Sequence, residues 1–295
     1  MPELPDVTVY VEALERQVGG RRLERVRTMN PFVLRSFDPP LESVAGRSIA
    51  GIRRIGKRIV LDLGDALFIV IHLMIAGRLV WKDAEAKSKK PAPNTIAALE
   101  FDNGTLYFTE AGTKKRASLT IVRGEDALGA LDPGGIESLT CTFEEFRAAL
   151  AKESHTVKRS LTDPRLFSGI GNAYSDEILH AAKLSPMKLT RSITDEEARR
   201  LYEATRATLA KWTEQLRQEA AGGFPDRVTA FHPTMAVHGR YKLPCPVCGS
   251  PVQRIVYAEN ECNYCARCQT GGKLLADRSL SRLLKDDWPR SIDDL

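Results

Sequence analysis

The sequence predicts an α+β multidomain protein: an N-terminal β-sandwich with a flanking helix, then a helical domain, then a small cysteine-rich module. Three observations carry this. Short β-like runs broken by turns fill residues 21–122, capped helical patterns run from 142 to about 220, and five of the 6 cysteines fall between 245 and 268. Strands and helices kept apart along the chain argue against alternating β-α units.

The first element is a helix. After Asp6, a fitting N-cap, Val7, Val11, Leu14 and Val18 recur on one face, and Gly19-Gly20 ends it. Ile59–Leu63, Leu67–Leu73, Ile96–Phe101 and Thr105–Thr109 read as strands, with Asp102-Asn103-Gly104 as a hairpin turn between the last two. Lys82–Asn94, rich in Lys, Pro and Ala, reads as an exposed loop, and Leu131–Gly135 as a linker. Thr142 with Glu145 forms a capping box ahead of Phe143, Phe146 and Leu150. Thr194 with Glu197 caps a second helix, whose Leu201, Thr205, Leu209, Trp212 and Leu216 line one side. A tail with Leu274, Leu275, Leu280, Leu283, Leu284 and Trp288 follows the cysteines. The expected divisions are 1–130, 136–222, 240–270 and a tail, 271–295.

At 295 residues with 43% hydrophobic content, the chain has material for about two packed domains, which excludes global disorder. The longest apolar run, Ala66–Leu73, is far shorter than the ~18–20 residues of a membrane helix. Glu3, Asp6, Glu12 and Glu15 do not fit a signal or transit peptide, so a cytoplasmic, monomeric protein without membrane association is expected. Net charge is only +5, but Arg47, Arg53, Arg54, Lys57 and Arg58 fall together without an acid, and Lys114, Lys115 and Arg116 form a second cluster. Such clusters are either solvated surface or a track for a polyphosphate.

Cys245-Pro-Val-Cys248 and Cys265-Ala-Arg-Cys268 are two C-x2-C knuckles, which together supply four thiolates for a tetrahedral, structural Zn2+. One such ion per chain is expected. Cys262-Asn-Tyr-Cys265 is also a C-x2-C pair; the preferred assignment leaves Cys262 as a spare thiol.

Five motifs then occur in order: Pro2-Glu-Leu-Pro-Asp6, Gly56-Lys57-Arg58, His72-Leu-Met-Ile-Ala-Gly77, Gly169-Ile-Gly-Asn172-x-Tyr174-Ser-Asp-Glu177, and the four-cysteine module. Together they closely resemble the formamidopyrimidine-DNA glycosylase / endonuclease VIII family of bifunctional repair glycosylases, from Pro2 to about Gln269. The resemblance implies a catalytic β-sandwich, a helix-two-turn-helix DNA-binding domain and a zinc finger. It also implies duplex DNA bearing damaged bases or abasic sites as the partner. Pro2, freed by removal of Met1, is then the nucleophile and Glu3 the general acid/base. Lys57 approaches the damaged nucleotide and its phosphate. Lys158, Asn172 and His72 contact the DNA backbone, and Met74 or Ile75, together with Arg116, fills the hole left by a flipped base.

The chain departs from the family in three places. Asn260 stands where the finger hairpin usually carries an arginine, leaving Arg254 or Arg267 as substitutes. Lys115-Arg116-Ala117-Ser118 lacks the usual aromatic wedge, or else this loop is out of alignment. The short connection between Gly223 and Phe231 disfavours tight 8-oxoguanine recognition and favours pyrimidine lesions, ring-opened purines or abasic sites. Two competing functions follow: a damage-binding protein on the same scaffold with little base excision, and an unrelated zinc-ribbon protein that binds RNA.

Overall fold

The computed structural model describes the chain apart from residues 87–90, 92–93, 226–230, 258–259, 277–281, 284–288 and 295. The chain forms two compact units, Met1–Pro133 with Trp212–Ala230, and Gly134–Lys211 with Phe231–Leu295.

The first unit opens with α1 (Leu4–Val18). The helix starts earlier than the expected cap at Asp6. Glu3 holds the N-cap position, and Asp6, three residues on, accepts the Glu3 N–H through Oδ2 at 2.7 Å. Pro5 fits the first turn because no amide hydrogen is needed there. Among the described residues, eight strands follow: β1 (Leu23–Thr28), β2 (Gly51–Ile55), β3 (Arg58–Asp62), β4 (Leu67–His72), β5 (Gly77–Asp83), β6 (Thr95–Phe101), β7 (Gly104–Glu110) and β8 (Ser118–Arg123). They make two antiparallel four-stranded sheets, ordered β1-β6-β7-β5 and β2-β3-β4-β8.

Both sheets contribute to one core, with Ile59, Leu61, Ile69, Ile71 and Leu119 from one and Leu79, Leu99, Phe101 and Phe108 from the other. Val7, Tyr10, Leu14 and Val18 of α1 join it, so the sandwich and flanking helix are as expected. The β6–β7 turn is Asp102-Asn103, with Phe101 paired to Gly104. Lys82 and Asp83, expected in a loop, instead extend β5 opposite Thr105 and Gly104. Trp212–Ala230 closes this unit: Arg217 reaches Glu12 at 2.6 Å, and the Phe224 ring lies 5.8 Å from that of Tyr10.

In the second unit, the helix Phe143–Ala151 (α3, after the short α2 at Glu125–Gly129) has the expected capping box. Thr142 Oγ1 accepts from Glu145 N at 3.2 Å, and the Glu145 carboxylate accepts from Thr142 N at 2.8 Å. After it come α4 (Val157–Thr162) and α5 (Asn172–Ala181). The long helix α6 (Asp195–Ala220) is divided between the units after Lys211, and Thr194 and Glu197 cap its start reciprocally at 3.2 and 2.9 Å. Its Leu201, Thr205 and Leu209 are fully buried. A finger hairpin, β9 (Gln253–Tyr257) and β10 (Asn260–Tyr264), leads into the short helix α7 (Ala266–Thr270). Ile255, Cys262, Tyr264 and Leu274 form a small core beneath it. Of the tail leucines, Leu283 is exposed, while Leu280, Leu284 and Trp288 lie outside the described residues. Among the described residues, no helix is long and apolar enough to cross a membrane.

Candidate functional site

In the first unit, the chain start, the β2–β3 turn and the β4–β5 turn place ionisable groups within electrostatic reach of one another. Pro2 and Glu3 are buried, Glu3 being 1% exposed. Burial lowers the pKa of the terminal amine below its ordinary 8.0; Arg78 and Lys57 push the same way, against Glu3 and Asp6. With Met1 in place this amine stands one residue ahead of Pro2, and removal of Met1 moves it onto the Pro2 nitrogen.

Asp6 is wholly buried and its pKa is pushed up to about 7, chiefly by loss of water. Among the described residues, its Oδ1 has no hydrogen-bond partner. Lys57 follows Gly56 in the two-residue turn joining β2 to β3, where Gly56 has φ +57, a left-handed conformation suited to glycine. Lys57 is half-buried, and burial lowers its pKa against the pull of Glu3. His72 ends β4 opposite Arg58, and burial, Arg58 and Lys57 together bring it down to about 4. The imidazole is therefore neutral at physiological pH.

Beyond His72, the chain turns sharply into β5. A side chain at Gly77 would bring its Cβ within 2.2 Å of the Leu73 oxygen, so only glycine fits. Arg78 donates to the carbonyls of Ile75 and Gly77 at 3.3 and 2.7 Å, which holds this turn. Ile75 projects from it at 58% exposure, and Met74 beside it has φ +52 and is only half-exposed. Arg116 is exposed in the loop before β8, where Glu110 Oε1 accepts the N–H groups of Arg116 and Ala117 at 2.9 and 3.1 Å. Ala117 is 2% exposed and belongs to the sandwich core. It is thus not the surface position of a wedge, and its small side chain says nothing about void filling. Sequence reasoning misses Arg78 and Glu110, because their roles depend on turns that only the fold brings together.

In the second unit, Lys158 Nζ donates to Asp176 Oδ1 at 2.5 Å, Ser175 Oγ at 2.9 Å and the Asn172 carbonyl at 3.2 Å. Asn172 is the first residue of α5, reached through Gly169 (φ +80) and Gly171, and its Nδ2 donates to the Glu261 carbonyl of the finger at 2.8 Å. Amides at such a helix start suit a phosphate. Asn260 opens β10 opposite Tyr257, and its side chain lies outside the described residues. Of its two proposed substitutes, Arg254 lies 3.7 Å from Glu261 and 4.3 Å over the Tyr241 ring, and Arg267 pairs with Asp293. The connection between Gly223 and Phe231 also falls largely outside the described residues.

The sulfurs of Cys245, Cys248, Cys265 and Cys268 all lie within 4.8 Å of one another, and this group could hold a metal ion. Tetrahedral zinc with Zn–S near 2.3 Å sets sulfurs about 3.8 Å apart; the Cys245–Cys268 and Cys248–Cys265 separations are 3.9 and 3.4 Å. Burial opposes ionisation of Cys248, but hydrogen bonds from Ser250 and the neighbouring thiols outweigh it and bring the thiol down to about 7. Cys262 stands apart in the finger core, its pKa raised by burial and by Asp176.

Two family models match this chain: the formamidopyrimidine-DNA glycosylase N-terminal domain over residues 1–115 and the formamidopyrimidine-DNA glycosylase H2TH domain over residues 131–219. The formamidopyrimidine-DNA glycosylase of Thermus thermophilus is 35% identical over 281 residues, 92% of this chain and 100% of the relative. The chain belongs to the formamidopyrimidine-DNA glycosylase family. Another member of that family, from Desulforamulus reducens, is 32% identical over 278 residues, covering 91% of this chain and 99% of the relative. The crystal structure of the T. thermophilus MutM (Fpg) protein superimposes with a TM-score of 0.75 at 33% identity, over 91% of this chain and 98% of that one. Lactococcus lactis Fpg in complex with FAPY-dG-containing DNA shares the fold, with a TM-score of 0.80 at 23% identity over 91% of this chain and 100% of that one. The formamidopyrimidine-DNA glycosylase fold thus accounts for the sandwich, the helical domain and the converging cysteines.

Proposed function

We propose that this chain removes oxidised or ring-opened bases from duplex DNA and then cleaves the abasic strand, with the Pro2 amine as nucleophile after loss of Met1. It is a DNA glycosylase of base-excision repair by family. The observation that carries the mechanism is the buried chain start, where Pro2 and Glu3 are buried and the amine of Met1, one residue ahead, is drawn below its ordinary pKa. A neutral amine attacks C1′ of the damaged nucleotide as the C1′–N bond breaks. The base leaves with a proton supplied by the Glu3 carboxyl. The C1′–O4′ bond then opens, O4′ taking the proton that the amine gives up, and the resulting covalent intermediate is an iminium, which acidifies the C2′ hydrogen. Glu3, now a carboxylate, takes that proton as the 3′ C–O bond breaks, and a second elimination releases the 5′ phosphate. A proline amine is more basic than most terminal amines; the burial, Arg78 and Lys57 that lower the Met1 amine are what this chain start offers to counter that.

Damaged duplex DNA is the proposed partner. L. lactis Fpg has been solved with FAPY-dG, oxidised-pyrimidine and abasic-site DNA. Lys57, His72, Ile75 and Arg116 of the first unit, and Lys158, Asn172 and the finger at Asn260 of the second, are its proposed contacts. Cys245, Cys248, Cys265 and Cys268 are proposed to hold one Zn2+, structural because four thiolates leave no open position. Borohydride trapping on duplexes with single defined lesions tests the whole. A covalent adduct on intact lesions is expected. Capture on abasic sites alone would reduce the activity to a lyase, and capture on neither would leave a damage-binding protein.

A further inference from the structure

We infer that Asp176 is a positioning residue for DNA binding, fixing the Lys158 ammonium and the finger hairpin against the start of α5. The inference rests on the phosphate-binding role proposed above for Lys158 and Asn172.

The Asp176 side chain is completely buried, yet its two oxygens join three separate segments of the second unit. Oδ1 accepts from Lys158 Nζ on α4 at 2.5 Å. Oδ2 accepts from the Asn263 N–H of β10 at 3.1 Å and faces His238 Nδ1 at 2.8 Å. Glu177, next in sequence, takes the N–H groups of Ala236, Val237 and His238 at 2.8, 2.9 and 3.0 Å. Residues 172, 176 and 180 follow one another at four-residue spacing, so they form one stripe of α5. Each member of it meets the finger module: Asn172 through the Glu261 carbonyl, Asp176 through Asn263, and His180 Nε2 at 3.3 Å from Cys245 Sγ.

A buried carboxylate is costly without such partners, so this one is held where it organises others. Lys158 keeps only 14% of its side chain exposed, and its ammonium is held by Asp176, Ser175 and the Asn172 carbonyl. An ammonium already fixed beside a helix start has little freedom left to lose when a phosphate arrives. Charge alone gives the opposite expectation: removing an acid from a DNA-binding surface should strengthen binding to a polyanion. The sign of the effect therefore separates positioning from bulk electrostatics.

The test uses the full chain and a duplex carrying one tetrahydrofuran abasic analogue, with affinity measured across a salt series. Metal content and thermal stability are recorded for every variant. Asp176→Asn is expected to weaken binding about tenfold, the worth of one charge-assisted contact, and to lower the salt slope by about one. Lys158→Gln should do the same, and the double variant should be no worse than either single. Tighter binding, or an unchanged slope, in Asp176→Asn while Lys158→Gln lowers the slope overturns the inference alone. Additive losses overturn it too, since Asp176 would then act apart from Lys158. An unchanged slope in Lys158→Gln removes both this inference and the phosphate role of Lys158. Should Asp176→Asn not fold, the doubly neutral variant is compared with Lys158→Gln: equal affinity and slope are expected, and a further loss overturns the inference.

Discussion

The starts of α1 and α5 both bury ionisable groups, and they treat them in opposite ways. At α5, Asp176 and Glu177 meet Lys158, His238 and four backbone N–H groups at hydrogen-bonding distance. At α1, burial pushes the terminal amine, Lys57 and His72 down and Asp6 up, each toward its neutral form, and among the described residues Asp6 Oδ1 is left without a partner. Buried charge that is fully matched makes a scaffold. Ionisable groups buried without full compensation shift toward their neutral forms, which gives acid–base chemistry a neutral amine and, in Asp6 at about 7, a carboxyl near the point where it exchanges protons.

The hardest blow to this contrast falls on the amine. An uncleaved N-terminal tag should abolish borohydride trapping, and Pro2→Gly should greatly reduce it; full trapping by the tagged protein would take Pro2 out of the mechanism. The matched side should break next most severely. Cys268→Ser should release the metal, forfeiting binding energy on the order of ten kcal/mol in modules of this kind, whereas Cys262→Ser should retain one equivalent by metal analysis. The reverse pattern would reassign the second knuckle.

Glu3→Gln should slow base release about 10²–10⁴-fold, the usual worth of a general acid/base, while duplex affinity persists. Normal excision with lost binding would contradict its role. Asp6 sharpens the contrast through stability. Its folded pKa of about 7 lies above the ordinary 3.8, so between these values the native state holds a proton the unfolded chain has lost. Stability from this group is full below about pH 4 and is lost as pH rises through 7, by at most about 4 kcal/mol. Asp6→Asn keeps an acceptor for the Glu3 N–H, and should flatten that decline and raise stability at pH 8 in urea unfolding. An unchanged pH profile would place the titration elsewhere. The smallest effect is expected at the finger: Asn260→Arg should tighten binding about tenfold or more and steepen the salt dependence, if it adds one phosphate contact of roughly 1.5–3 kcal/mol. Unchanged affinity and slope would mean that the hairpin tip does not touch the backbone.

Where the sequence speaks clearly, the signal is local. The capping boxes at Thr142 and Thr194 hold because their two partners are three residues apart. The four runs that read as strands correspond to β3, β4, β6 and β7, the central strands of the two sheets, whereas β1, β2, β5 and β8 are edges. An edge strand such as β2, Gly-Ile-Arg-Arg-Ile, has none of its residues fully buried, so its apolar pattern is weak. The start of α1 is misplaced from sequence because Glu3 and Asp6 form a reciprocal pair, and only the backbone shows which of them is the cap. At the candidate site, motif spacing brings out Pro2, Glu3, Lys57 and the four cysteines. Asp176 lies inside a motif with no role attached, since its partners Lys158, His238 and Asn263 are far away in sequence.

The division of the chain bears on how it is made. The first unit is not finished at Pro133: it needs Trp212–Ala230, whose Arg217 and Phe224 reach back to Glu12 and Tyr10 on α1. On a ribosome adding about 5–20 residues per second, the intervening stretch takes roughly 4–16 s to emerge. The helix that carries the amine is among the first segments synthesised, yet its last neighbours arrive only after the whole of Gly134–Lys211 has been translated. A nascent chain halted at Pro133 would expose part of Tyr10's packing surface, and the N-terminal end would acquire its final surroundings late in translation.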